Sequence, residues 1–121
     1  MILVDTSVWV DHLRGSERTL ISALEAGEVL THPFVIGELA CGNLTNRAEV
    51  LALLADLPAS PVATDAEALA FIEARALMRR GIGYIDVHLL AAATLAGETT
   101  LWTRDKRLAR IADDLHLGFA E

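Results

Sequence analysis

Residues 2–7 read Ile2-Leu3-Val4-Asp5-Thr6-Ser7, an aliphatic run that ends in a carboxylate and two hydroxyl side chains. Consecutive aliphatic residues predict a short strand that is buried on both faces, as strands in parallel sheets are. Residues 7–14 then have the pattern of a helix that ends at Gly15, where a left-handed cap is expected. A buried strand that leads directly into a helix indicates an α/β fold, with Asp5 at the junction.

The rest of the chain repeats this alternation of short apolar runs and helices. Further strand candidates are residues 28–31, 62–63, 100–103 and 117–119. Two of the intervening helices are predicted to open with capping boxes, at Asn46–Glu49 and Thr64–Glu67. The helix that opens at Thr64–Glu67 is expected to run to residues 80–81. Another helix is predicted over residues 84–96. Strands separated by helices indicate a parallel sheet covered on both faces. We therefore predict one domain over residues 1–121, a three-layer α/β/α sandwich with a central, mostly parallel sheet of four or five short strands.

Composition places the chain among globular proteins. Hydrophobic residues make up 53% of its 121 residues, which excludes disorder by composition. No apolar stretch approaches the roughly 20 residues of a membrane span, and no basic segment of a secretory signal precedes the first strand. The single cysteine, Cys41, cannot form an internal disulfide and is expected in the core rather than as a nucleophile. These features predict a cytoplasmic protein that does not associate with membranes.

The net charge of −7 argues against binding to nucleic acid by bulk electrostatics. The basic residues are nevertheless clustered, and Arg104, Lys106 and Arg107 flank Asp105. This cluster is either a solvated helix face or a surface that attracts phosphate, and the sequence leaves both readings open. Asp11, with Arg14 three residues later, has the spacing of an ordinary surface ion pair.

Acidic residues in unusual places are Asp5, Glu38, Asp86 and Asp105. Asp5 and Asp105 follow predicted strands, and the carboxyl ends of parallel strands are where α/β proteins form their sites. Glu38 and Asp86 lie in otherwise apolar helical stretches, on the stripe that helical spacing directs toward the core. An unpaired carboxylate in such a setting is costly unless it is paired or binds a metal. Because hard oxygen ligands suit Mg²⁺ or Mn²⁺, we predict a site for one or two such ions.

Each acid also has a simpler structural explanation. Asp5 and Asp105 could cap the helices that follow them, Glu38 could face solvent, and Asp86 could occupy a first helical turn, where acids are favoured. All four explanations would have to hold at once, although Glu38 and Asp86 lie on faces that are otherwise apolar. We therefore favour the metal site. Hydroxyl side chains that could orient the carboxylates or a bound water are Thr6, Ser7 and Thr103.

Four short motifs surround these acids in order: Val4-Asp5-Thr6-Ser7, Ile36-Gly37-Glu38-Leu39, Gly83-Tyr84-Ile85-Asp86 and Thr103-Arg104-Asp105. In order and spacing, from about residue 2 to residue 119, the chain resembles the PIN-domain ribonucleases, most closely the VapC-type toxins of toxin–antitoxin pairs. The departures are mild: Trp102 precedes the last motif, and Leu108 stands where an aromatic residue is common.

The resemblance implies a PIN-like domain that cleaves single-stranded or loop RNA with a divalent metal, Mg²⁺ or Mn²⁺. Attack by a metal-activated water would not need the RNA 2′-hydroxyl, so the products are expected to carry 5′-phosphate and 3′-hydroxyl ends. It implies that Asp5, Glu38, Asp86 and Asp105 are the catalytic and metal-binding residues. It also implies a cognate antitoxin and a homodimer. In this reading the candidates for contact with the RNA backbone are Arg104, Lys106 and Arg107.

Three other functions stay open at this point. A phosphotransferase of the haloacid dehalogenase type also has an Asp after its first strand, but it needs a second Asp where this chain has Ser7. A non-catalytic module could use the acids to bind a structural ion or a basic peptide. A PIN nuclease could act in RNA processing rather than as a toxin.

Overall fold

The first strand of the chain lies at the centre of a small parallel sheet. The computed structural model describes all residues, 1–121, and its strands are β1 (Ile2–Val4), β2 (Val29–Leu30) and β3 (Thr100–Trp102) in the order β2-β1-β3. Both strand pairs are parallel. The helices are α1 (Thr6–Gly15), α2 (Arg18–Glu25), α3 (Pro33–Cys41), α4 (Arg47–Asp56), α5 (Asp65–Arg75), α6 (Tyr84–Ala96) and α7 (Lys106–Asp114). The predicted α/β class with a parallel sheet is confirmed.

The sheet has three strands where four or five were predicted. Residues 62–63 form no strand; instead Ala59, just upstream, makes a single parallel bridge with Thr31. Ser60 still donates to the Thr31 carbonyl at 2.8 Å, but Pro61 follows it, and because proline has no N–H to donate, the ladder does not extend further. At the other edge, Gly118 makes a single bridge with Leu101, so residues 117–119 pair with the sheet without forming a strand. The two missing strands are therefore isolated bridges at the two edges.

Of the two capping boxes predicted from the sequence, one is present. At the start of α5 the capping box is present, since Glu67 N–H donates to Thr64 Oγ1 at 3.1 Å and Thr64 N–H donates to Glu67 Oε1 at 2.9 Å. The box predicted at the start of α4 is absent. Asn46 has a left-handed backbone (φ 56°) and makes no capping hydrogen bond. A capping side chain requires an extended backbone to reach the third helical residue, which Asn46 does not have.

Helix α5 ends earlier than the predicted residues 80–81. The N–H groups of Ala76 and Leu77 bond back to carbonyls of the last turn, and Ala76 is left-handed (φ 52°). Leu77 is buried, and its burial fixes the direction of the chain beyond the helix. A left-handed C-cap is a common helix end, although without a glycine it has no sequence signal here.

The core contains 24 buried hydrophobic residues packed around the sheet. Helix α6 contributes a continuous buried run, residues 87–93, so the middle of this helix is enclosed on all sides. Such a helix is held rigidly, and it fixes the position of Asp86 in its first turn. None of the helices combines the length and apolar character needed to cross a bilayer.

Cys41 is exposed, contrary to the prediction that it lies in the core. Helix α3 buries Val35 and Leu39, which are four residues apart and share one face. Cys41 follows Leu39 by two residues, which turns it away from that face at the last residue of the helix.

Candidate active site

Strands β1 and β3 bring Asp5 and Thr103 together at the carboxyl edge of the sheet. Val4 pairs with Trp102, and the Asp5 N–H donates to the Trp102 carbonyl at 2.9 Å. Asp5 is only 7% exposed. Its Oδ2 atom accepts hydrogen bonds from Thr103 Oγ1 at 2.7 Å and from Ser7 Oγ at 2.9 Å. Two hydroxyl groups therefore fix the orientation of the buried carboxylate.

Asp105 is joined to this pair through its backbone. Its N–H donates to Thr103 Oγ1 at 3.1 Å, so a single hydroxyl connects the two aspartates. The Asp105 Oδ1 atom accepts from the N–H groups of Arg107 (2.9 Å) and Leu108 (3.0 Å), and Asp105 thus caps helix α7. The capping role considered from the sequence is real, but it uses only one of the two carboxylate oxygens.

Glu38 reaches the site from α3 and is exposed rather than on the buried stripe. The expectation of a core-facing side chain is wrong because the buried face of α3 is formed by Val35 and Leu39. The carboxylate is nevertheless tied to the residue that follows Asp5, since Thr6 Oγ1 donates to Glu38 Oε1 at 2.7 Å.

Asp86 is half-buried in the first turn of α6, where its Oδ2 accepts the Gly83 N–H at 3.2 Å. Burial raises the pKa of Asp86 above its ordinary value, and the Gly83 N–H lowers it in part. The pKa is raised further by the negative charges of Asp5, Asp105 and Glu38. The four acids predicted from the sequence therefore lie in one electrostatic neighbourhood.

These four carboxylates share an arrangement that suits a cation. In each, one oxygen accepts hydrogen bonds from the protein and the other has no protein partner. Metal-binding carboxylates are typically oriented in this way by hydrogen bonds to the oxygen that does not bind the metal. No group of three or more His, Cys, Asp or Glu side chains is already arranged around a common point. The all-oxygen donor set of the four carboxylates fits Mg²⁺ or Mn²⁺.

The crowding of negative charge around Asp86 has a measurable consequence for stability. An acid with a raised pKa binds protons more readily in the folded than in the unfolded protein, so stability falls as pH rises through the window above 3.8. We expect Asp86→Asn, which keeps an acceptor for the Gly83 N–H, to stabilise the metal-free protein at pH 7. The expected gain is roughly 0.5–2 kcal/mol, as for other relief of unfavourable charge. Thermal unfolding in EDTA measures it.

The gain should shrink at pH 3, where Asp86 is protonated in both states, and it should also shrink in excess Mn²⁺. Asp56→Asn is the matched control, because Asp56 is exposed at the end of α4, outside this neighbourhood. A stability of Asp86→Asn at pH 7 equal to that of the wild-type protein would contradict the proposed crowding.

Arg104 does not face solvent as a free cation. Its Nη1 atom donates to Asp11 Oδ2 and to Glu17 Oε1, both at 2.8 Å, and its Nη2 atom donates to Glu121. These hydrogen bonds raise the pKa of the guanidinium, and the bond to Glu17 contributes most. The group also lies 5.8 Å from the centre of the Trp102 ring. The structure argues against the predicted RNA contact at Arg104, because carboxylates already occupy its guanidinium.

The Arg104 cluster, formed by Arg104, Asp11, Glu17 and Glu121, is connected to the acidic site. The Arg104 N–H donates to Ser7 Oγ at 3.0 Å, and Ser7 in turn donates to Asp5. The cluster therefore fixes the loop that carries the last acidic motif. Lys106 and Arg107 are exposed and make no ion pair, so they remain candidates for contact with RNA.

We expect Arg104→Ala to lower the midpoint of thermal unfolding by roughly 5 °C, because three carboxylates lose their shared cation. The unfolding midpoint of Arg104→Lys should lie between those of Arg104→Ala and the wild-type protein, since a single ammonium group cannot match the fork of a guanidinium. Lys106→Ala, an exposed neighbour, is the control and should melt like the wild-type protein. An unchanged midpoint for Arg104→Ala would show that the cluster contributes nothing.

Comparisons with known proteins agree with this geometry. The family model for the PIN domain matches residues 2–114. The chain is 46% identical over 121 residues to Ribonuclease VapC32 of Mycobacterium tuberculosis, in strain CDC 1551 / Oshkosh and in strain ATCC 25618 / H37Rv. The match covers 100% of this chain and 98% of the relative. The chain therefore belongs to the PIN-domain family, and the predicted likeness to VapC-type ribonucleases is confirmed.

Proposed function

We propose that this protein is a metal-dependent endoribonuclease and the toxin of a toxin–antitoxin pair. Membership of the PIN-domain family and the full-length similarity to a ribonuclease support cleavage of RNA. The observation that carries the metal dependence is the arrangement of Asp5, Glu38, Asp86 and Asp105, each with one anchored oxygen and one without a protein partner.

Each carboxylate has a distinct role in this proposal. Asp5 lies deepest and would hold the cation most firmly, since Thr103 and Ser7 fix its orientation. Asp86 and Asp105 would bind through their free oxygens, directly or through water. Glu38, more exposed and held by Thr6, would complete the site or orient a water molecule. One or two Mg²⁺ or Mn²⁺ ions fit such a set.

A divalent ion held by these carboxylates would neutralise charge on the phosphodiester and lower the pKa of a water molecule. The protein contributes a fixed negative pocket and the hydroxyl groups that keep the carboxylates in place. Attack by water does not use the 2′-hydroxyl of the RNA, so the products carry 5′-phosphate and 3′-hydroxyl ends. Lys106 and Arg107, exposed beside Asp105, would attract the RNA backbone toward a pocket that otherwise repels it.

The proposal extends to the setting of the protein. As a toxin of this kind, it would be held inactive by a cognate antitoxin until the antitoxin is removed. The proposal includes a homodimer, a cytoplasmic location and a single domain over residues 1–121, which the family likeness and the composition of the chain support. Size-exclusion chromatography with light scattering would measure the oligomeric state.

The metal dependence is tested by digestion of total cellular RNA followed by mapping of both fragment ends. We expect cleavage with Mg²⁺ or Mn²⁺, loss of cleavage in EDTA and recovery when metal is added in excess. The fragments should carry 5′-phosphates that a ligase accepts directly. Cleavage that is indifferent to EDTA, or fragments with 2′,3′-cyclic phosphates, would exclude this chemistry. Metal binding without turnover on any RNA would favour the non-catalytic module instead.

A further inference from the structure

A cavity of about 330 Å³ opens beside the acidic site, between α1, α3 and the segment that follows α3. It shares Thr6 and Glu38 with the site, so a molecule in the cavity would lie against two residues of that site. Its volume is at the lower end of the roughly 300–1,000 Å³ found for small-molecule pockets. That size suits a single nucleotide.

One wall of the cavity carries a cation that has no partner. Arg14, in the last turn of α1, is exposed and makes no ion pair. Its nearest acid by sequence spacing, Asp11, is bound to Arg104 instead. A solvated arginine at a helix C-terminus is favourable in its own right. Arg14, however, also lines a cavity next to the proposed RNA-cleaving site, and its planar guanidinium is suited to bind a phosphate group there.

The segment that follows α3 supplies groups that can recognise a base. Asn43 and Thr45 line the cavity and are exposed, and neither side chain hydrogen-bonds to the rest of the protein. The backbone before them is fixed, because Arg47 donates to the carbonyls of Ala40 (2.5 Å) and Gly42 (3.3 Å). Leu44, between them, adds an apolar surface. Unstacked RNA bases are read by such amide and hydroxyl groups at their edges, with apolar or planar groups against their faces.

We propose that this cavity is a nucleotide subsite, which binds the RNA nucleotide adjacent to the cleaved phosphodiester. Arg14 binds a phosphate of the substrate, while Asn43 and Thr45 hydrogen-bond the edge of the base. The inference rests on the proposed function and goes further, since it assigns sequence preference to residues outside the four acidic motifs. A positively charged protein segment would find only Glu38 to pair with in the cavity, and Arg14 would repel it.

The test uses a single-stranded RNA library with randomised positions, digested in Mn²⁺ and sequenced at the fragment ends. We expect the wild-type protein to prefer one base, or one pair of bases, at a position next to the cut. Asn43→Ala and Thr45→Val should reduce that preference about tenfold at this position alone, as loss of a base contact does. On a preferred RNA, Arg14→Gln should raise KM about tenfold with kcat nearly unchanged.

The matched control is Arg18→Gln, at the start of α2, because Arg18 is also exposed and unpaired but does not line the cavity. It should cleave like the wild-type protein. Unchanged base preference in Asn43→Ala and Thr45→Val, with unchanged KM in Arg14→Gln, would overturn the subsite. Variants that weaken only binding of the antitoxin would overturn it too, and would assign the cavity to the protein partner. Failure of the proposed function is distinct, since the wild-type protein then cleaves no RNA in the library.

Discussion

Asp5→Asn should reduce RNA cleavage by at least about 10²–10³-fold, because the loss of a buried metal-binding charge removes several kcal/mol of transition-state stabilisation. Asparagine has nearly the same shape as aspartate, and its carbonyl oxygen can still accept the hydrogen bonds of Thr103 and Ser7. The substitution also removes one charge from a repulsive cluster. We therefore expect the Asp5→Asn variant to be folded and at least as thermally stable as the wild-type protein. The measurement is the initial rate on a defined RNA in saturating Mn²⁺, with thermal unfolding of the same sample.

Asp56→Asn, which changes an exposed acid in α4, is the control for the loss of a single negative charge. It should cleave at the wild-type rate. Wild-type activity of Asp5→Asn in saturating Mn²⁺ would mean that Asp5 does not bind a catalytic ion. Loss of activity together with unfolding would leave the cause structural, which is why both measurements use the same sample.

Thr103→Val should have the second largest effect. Thr103 is buried, 8% exposed, and its hydroxyl both donates to Asp5 Oδ2 and accepts the Asp105 N–H. Valine fills the same space without either bond. Residues that orient metal ligands typically contribute about 10–100-fold to metal affinity or activity, and we expect a loss of this size. The unpaired Asp105 N–H adds roughly 1–3 kcal/mol of destabilisation. Titration of the cleavage rate with Mn²⁺ measures the first effect, and thermal unfolding the second.

Thr99→Val separates positioning of the metal ligands from general stability. Thr99 is also buried, and its hydroxyl donates to the Gly97 carbonyl at 2.8 Å, away from the acids. The Thr99→Val variant should be less stable than the wild-type protein, while its Mn²⁺ concentration for half-maximal cleavage stays unchanged. Thr103→Ser, which keeps the hydroxyl, should recover most of the metal dependence. If Thr103→Val and Thr99→Val require the same Mn²⁺ concentration as the wild-type protein, Thr103 serves the fold alone.

The parts of the structure that the sequence predicts well are those with strong local signals. Helix α6 begins and ends where Gly83 and Gly97 flank an apolar run, and its observed bounds are those predicted. The Thr64–Glu67 capping box is present because both side chains bond to backbone only three residues away. Asp5 and Asp105 could be placed at one edge because parallel strands end on the same side of a sheet.

The weaker predictions concern features that depend on neighbours distant in sequence. Helix α3 is short and apolar on most of its surface, so spacing could not identify its buried face or the exposure of Glu38 and Cys41. The outer strands were predicted from apolar character, while their actual pairing is limited to single bridges, one of which Pro61 interrupts. Local composition cannot indicate how far such a ladder extends.

The Arg104 cluster had no sequence signal at all. Spacing suggested Arg14 as the partner of Asp11, whereas the structure pairs Asp11 with Arg104, 93 residues away. The same exchange leaves Arg14 without a partner beside the cavity. Contacts over such separations follow from the sheet, which places the ends of β1 and β3 next to each other.

The convergence of Asp5, Glu38, Asp86 and Asp105 on one cation is tested most directly by a crystal structure of the wild-type protein grown with Mn²⁺, using the anomalous signal to locate the ion. We predict a peak at the carboxyl edge of β1 and β3, bonded to the free oxygen of Asp5. At least two of the other three carboxylates should bind the ion directly or through one water, with direct bonds of about 2.0–2.2 Å. An ion bound elsewhere, or one that contacts Asp5 while Glu38 and Asp86 point away, would contradict the proposed metal site.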